Sequence, residues 1–204
     1  MEIESGVNSG NIKSLKKVFE SWHEILEIYI RTSGYEDCPW WYNERATLSS
    51  LSAAIWKSNG IALEEYCTEK GKKDDEYSGR CDMYFYKGSN GFACESKQVW
   101  CAIGRRAKIG LKKIESSINI ACKDARNLNK NEGRRLGICF AVPYLPPSDK
   151  PYIETRLGKW INQIQTLDYS SISWFFPSKT RYLENENGYF YPGVAVFVKE
   201  VFQQ

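Results

Sequence analysis

The chain has 204 residues, 42% hydrophobic, 14% aromatic and 26% charged, with a formal net charge of +3. That length and apolar content bound a single domain with a true core and exclude wholesale disorder. No run of about 18 apolar residues occurs, which excludes a membrane-spanning helix, and the polar start over residues 1–11 lacks a signal-peptide core and reads as a loose leader.

Apolar side chains at 12, 15, 18, 19, 22, 25, 26, 29 and 30 predict a first helix over residues 12–31. His23, the one histidine, lies off that stripe and is expected to be exposed. The aromatic stretch from Tyr35 to Tyr42, with Trp40 and Trp41, leads into a second predicted helix over 41–58. Leu48, Leu51 and Ile55 form its inward face, and Glu44, four residues before Leu48, shares it. A strand over 61–68 and a glycine-bounded turn region over 71–79 follow. Strands are then predicted over 80–86 and 92–100, joined by the hairpin signal Lys87-Gly88-Ser89-Asn90-Gly91.

A long amphipathic helix is predicted over 105–129, a strand over 136–144, a helix over 152–166, and strands over 172–176 and 194–202. This order implies an α/β fold, a mixed sheet flanked by helices, in one domain over 1–204. Its core spans about 41–144, with the helix at 12–31 and an extension over 150–204 as additions.

Seven cysteines, at 38, 67, 81, 94, 101, 122 and 139, are odd in number and lack the paired spacing of a zinc site. They read as reduced, mostly buried thiols of a cytoplasmic protein. Charge is unevenly spread. From Arg105 to Arg135 there are ten basic residues against Glu115, Asp124 and Glu132, a net +7 that leaves −4 for the rest. A polyanion-binding surface and a solvated helix face explain this equally well.

The chemistry concentrates on the hairpin. Alternation places Asp82, Tyr84 and Tyr86 on one face, opposite Cys81, Met83 and Phe85. In the next strand Glu95 and Lys97 share a face, and hairpin pairing brings Asp82 against them. Carboxylates gathered in an apolar stretch need positive charge beside them. Oxygen ligands without His or Cys suit Mg²⁺ or Mn²⁺, and a divalent cation serves phosphodiester hydrolysis by activating water and offsetting charge on phosphorus. The plainer alternatives are a cross-strand ion pair for Asp82 with Lys97 and a helix-dipole role for Glu44. Gln98 and Tyr84 fit substrate contact or strand packing equally.

Gly79-Arg80-Cys81-Asp82 followed by Glu95-Ser96-Lys97 after a hairpin resembles the PD-(D/E)XK (restriction-endonuclease-like) nuclease superfamily, over roughly residues 41–144. Cys81 stands where the motif's proline would be. The resemblance implies an αβββαβ core, with Asp82 and Glu95 as metal ligands and Lys97 as the catalytic lysine. Glu44 would match the acidic residue added from the first core helix. It implies a Mg²⁺- or Mn²⁺-dependent endonuclease with DNA favoured over RNA, and Arg105, Arg106, Lys108, Lys112, Lys113, Lys123 and Arg126 tracking the phosphate backbone. Double-strand cleavage by so small a chain would take a homodimer. Two rival readings are an inactive nucleic-acid-binding module and an interaction protein using the Trp- and Tyr-rich C-terminal third.

Overall fold

The structure is a computed structural model that describes residues 4–71, 77–107, 110–128 and 133–202. Seven strands form one sheet: β1 (Ser5–Asn8), β2 (Ile61–Lys70), β3 (Tyr77–Lys87), β4 (Asn90–Ala102), β5 (Arg134–Tyr144), β6 (Ser171–Phe175) and β7 (Val194–Val201). Their spatial order is β1-β6-β7-β5-β4-β3-β2. Helices α1 (Leu15–Thr32) and α2 (Glu44–Lys57) cover one face, and α3 (Lys112–Arg126) and α4 (Ile153–Ile164) cover the other. The fold is therefore the expected α/β mixed sheet, and the element order from α2 to β5 is αβββαβ.

Strand β5 sits at the centre because it is apolar on both sides. Leu136, Ile138, Phe140 and Val142 enter the core beneath α1 and α2, while Cys139 and Ala141 enter the core beneath α3 and α4. Burying a side chain of Leu or Phe size stabilises the fold by about 1.5–3 kcal/mol. Strand β4 pairs with β5 in parallel, from Phe92↔Arg134 to Ala102↔Tyr144. A parallel pair needs a crossover, and α3 supplies it. Gly137 lies directly under this helix, where a Cβ would stand 2.6 Å from Cys122 Sγ.

Several expectations are corrected. Residues 5–8 are no loose leader but an edge strand, because the wholly buried β6 has ladder groups to satisfy on that side. Ser5↔Phe175 through Asn8↔Ile172 pair there. His23 is half-buried instead of exposed. It shares a 2.8 Å hydrogen bond with Ser173 Oγ and stacks on Phe175 at 5.5 Å, and burial pulls its pKa down to about 4. The second helix starts at Glu44, since Pro39–Trp41 forms a separate 3-10 turn in which Trp40 is buried and bonded to the Tyr191 carbonyl. The third helix starts at Lys112, not at 105, because Gly104 to Ala107 forms a turn held from outside.

All seven cysteines are free, and all but Cys67 are buried. The aromatic C-terminal third is chiefly core, with Trp160, Phe176 and Phe190 fully buried. Among the described residues no helix is long and apolar enough to cross a membrane.

Candidate functional site

The β3–β4 ladder runs from Lys87↔Asn90 to Met83↔Cys94 and stops one residue short of Asp82 and Glu95. Beyond that point the Asp82 carboxylate takes the place of a backbone partner. Its Oδ2 accepts from the Ser96 amide at 2.7 Å and lies 3.2 Å from Ser96 Oγ. Two residues on, the Gln98 amide donates to Glu44 Oε2 at 3.0 Å, and Ser96 Oγ donates to Glu44 Oε1 at 2.7 Å. A buried amide left without a partner costs about 1–3 kcal/mol, so two carboxylates complete this edge of β4.

Glu44 reaches the strand because of how α2 begins. Asn43 is extended and its side chain accepts from the Ala46 amide at 3.0 Å, a local N-cap that fixes the first turn. Glu44 follows at the head of the stripe carrying Leu48, Leu51 and Ile55. It sits in the favourable first turn and also meets the strand pair, where its two oxygens are taken by Ser96 and Gln98. The Gln98 side chain is a packing group, bonded to Thr47 Oγ1 at 2.6 Å and to the Trp40 carbonyl at 3.2 Å.

The opposite side of β4 carries full charges. Glu95 is buried, 4% exposed, and Lys70 Nζ donates to its Oε1 at 2.6 Å. Lys97 Nζ donates to the Ser96 carbonyl at 2.7 Å and pairs with Asp124 of α3 at 3.2 Å. Burial raises the Glu95 carboxyl to about 7, with Asp82 adding to the rise and Lys70 and Lys97 opposing it. Burial also raises Glu44, against the pull of the Ser96 hydrogen bond and Lys97. For Lys97 burial acts downward, but Asp124, Glu44 and Asp82 outweigh it and its pKa rises. Glu44, Asp82, Glu95 and Lys97 therefore share one electrostatic neighbourhood.

Asp82 does not lie on the face expected of it. The alternation of β3 slips where the ladder ends: Met83 and Phe85 belong to the α1/α2 core, but Cys81 turns into the α3/α4 core beside Tyr66 and Tyr84. Its sulfur lies 3.3 Å from both the Met83 and the Cys94 carbonyl oxygens, either of which can accept its one hydrogen. Asp82 is left bonded to the β4 edge and does not stack beside Glu95.

Among the described residues no three His, Cys, Asp or Glu side chains are set to hold a metal ion as they stand. Both Glu44 oxygens are engaged by Ser96 and Gln98, whereas Asp82 Oδ1 and Glu95 Oε2 have no hydrogen-bond partner among the described residues. Free carboxylate oxygens of this kind would suit Mg²⁺ or Mn²⁺, which keep several waters. Asp82 and Glu95 are the residues that would hold the ion, with Glu44 bracing the strand beside them. Two open depressions, one containing Arg156 and Lys159 and the other His23 and Arg31, share no residue with this cluster.

The basic residues divide. Arg105 precedes the helix and is committed: its amide and Nε bond Asp149 at 2.5 and 2.9 Å, and its guanidinium lies 4.3 Å from the Tyr152 ring centre. Gly104 permits this, since a Cβ there would stand 2.7 Å from Asp149 Oδ2. Arg134 is bound to Glu200 through two bonds of 2.6 and 2.7 Å. Arg106, Lys112, Lys113, Lys123 and Arg126 are exposed. Lys108 lies outside the described residues.

Lys70, Ser96 and Asp124 were not singled out from sequence. Ser96 lies inside the motif, but its role depends on the ladder break. Lys70 and Asp124 lie on separate elements, and no local pattern ties them to Glu95 or Lys97. Comparison with known protein families, curated proteins and solved structures returns no match.

Proposed function

We propose that the chain is a divalent-cation-dependent nuclease that hydrolyses phosphodiester bonds, with its active site at the break between β3 and β4. The observation that supports this reading is that Glu44 and Asp82 from one side, and Glu95 and Lys97 from the other, are all tied to four consecutive residues of β4 and act on one another electrostatically. Asp82 and Glu95 hold Mg²⁺ or Mn²⁺ in this scheme. The bound cation lowers the pKa of an attacking water and offsets charge developing on the phosphoryl group.

Glu44 holds this stretch of β4 through the Ser96 hydroxyl and the Gln98 amide, so that Asp82 and Glu95 keep a fixed separation. Lys97, its pKa raised, stays an ammonium at neutral pH. It acts as a hydrogen-bond donor to a phosphoryl oxygen and not as a base, exchanging Asp124 for the substrate. The exposed Arg106, Lys112, Lys113, Lys123 and Arg126 supply contacts to the phosphate backbone. The resemblance to PD-(D/E)XK nucleases favours DNA over RNA and endonucleolytic cutting, with a homodimer for double-strand cleavage. The seven free thiols favour a reducing, cytoplasmic setting. A second reading, an inactive nucleic-acid-binding module, is favoured by the lysines already neutralising Glu95 and engaging Asp124.

Plasmid nicking separates the two. Cleavage is expected with Mg²⁺ or Mn²⁺, and Asp82→Ala or Glu95→Ala should lower it by about a thousandfold. Lys112→Glu with Lys113→Glu should weaken DNA association in a salt-dependent way. Salt-sensitive association with no cleavage under any metal identifies the binding module.

A further inference from the structure

We infer that Lys70 is a built-in counter-cation of the carboxylate cluster, neutralising Glu95 where a divalent cation would otherwise do so, so that ammonium and metal ion exchange on one carboxylate. This rests on the metal-site reading above and adds a positioning residue to it. Lys70 is the last residue of β2, on a two-stranded ribbon that outruns the sheet. Pairing of β2 with β3 continues to Lys70↔Tyr77, whereas pairing of β3 with β4 has ended at Met83↔Cys94.

The ribbon is anchored where it would have to be for this purpose. The Gly71 amide donates to the Asn127 carbonyl at 2.8 Å, and Lys70 forms a bridge to Leu128 just after α3. Both charged groups are withdrawn from water, with the Lys70 side chain 14% exposed and that of Glu95 5%. The lysine stem has a track. A Cβ at Gly79 would stand 2.9 Å from Lys70 Cδ and 3.1 Å from Cγ, so the bare glycine leaves room for the stem to run inward. A solvated surface lysine requires neither a buried partner nor a glycine beneath it.

A buried carboxylate needs a positive partner, and breaking such a pair without replacing it is strongly unfavourable. Lys97 does not serve Glu95 in this way, since its ammonium is turned to Asp124 and the Ser96 carbonyl. Lys70 therefore keeps the cluster compensated when no metal is bound. A divalent ion on the free Glu95 Oε2 would stand beside the ammonium held on Oε1 of the same carboxylate, and like-charge repulsion displaces Lys70.

Mn²⁺ titration of the full chain by calorimetry tests this, with melting curves at each Mn²⁺ concentration. Lys70→Met keeps the stem and removes the charge, while Gly79→Ala keeps the charge and crowds the stem. Lys70→Met should bind Mn²⁺ about tenfold more tightly than the unaltered chain and show the larger rise in Tm on adding Mn²⁺. Gly79→Ala should shift affinity the same way by less, and carries the test if Lys70→Met does not fold. Adding Asp82→Ala to Lys70→Met should abolish the binding. Equal affinity in all three chains, or weaker binding in Lys70→Met, overturns the exchange and leaves the metal site standing. Absence of Mn²⁺ binding in every chain overturns both.

Discussion

On the α2 side of strand β4 the carboxylates of Glu44 and Asp82 are met by neutral donors, the Ser96 hydroxyl and the Ser96 and Gln98 amides. On the α3 side Glu95 and Asp124 are met by the ammonium groups of Lys70 and Lys97. Amide and hydroxyl bonds are directional and, inside a strand edge, have nowhere else to go. Ion pairs between long flexible side chains can trade one partner for another at smaller geometric cost. The first side is built to stay and the second to exchange.

Paired substitutions across the strand sharpen that contrast. Lys97→Met should lower plasmid nicking by about a hundredfold through loss of a donor to the phosphoryl group, with Mn²⁺ affinity and Tm nearly unchanged. Glu44→Gln should lower activity by about tenfold and also depress Tm, because a neutral amide oxygen is a weaker acceptor for the Gln98 amide than the carboxylate it replaces. Single-turnover nicking and thermal melting on the same preparations give both readouts. A Glu44→Gln protein with unaltered Tm would break the distinction.

A smaller effect should appear in the pH dependence. Burial raises the Glu95 carboxyl to about 7, from the ordinary value of 4.5 taken for an exposed carboxyl. The folded state then binds the proton more tightly, so the stability tied to this group is full below 4.5 and is lost as pH rises through about 7. Without metal, the chain should lose about 2 kcal/mol between pH 5.5 and pH 8 from this group. Urea unfolding of the native chain and of Glu95→Gln should diverge over that window, and saturating Mn²⁺ should narrow the gap.

How far this arrangement was legible in the sequence follows the same division. Strand alternation and the hairpin signal place Glu95 and Lys97 on one face, and helical phase places Glu44 toward the strands, as the structure has them. Asp82 was read from an unbroken alternation that in fact slips at Cys81, because the ladder ends there and the carboxylate replaces a backbone partner. A slip of that kind depends on three elements meeting and leaves no periodic mark. Helix α3 is shorter than its sequence pattern for a related reason. Arg105 and Arg106 suit a helix locally, but Asp149 and Arg156 from distant segments hold residues 103–107 as a turn. Strand β1 leaves no local signal because its four residues are weakly apolar and are fixed by β6, more than 160 residues away.

The most direct test of the central account is anomalous scattering from crystals soaked in Mn²⁺. A peak bonded to Asp82 Oδ1 and Glu95 Oε2, with Lys70 withdrawn from Glu95, is the result predicted. Full Mn²⁺ occupancy elsewhere, with the Lys70–Glu95 pair intact and no peak between Asp82 and Glu95, would contradict it.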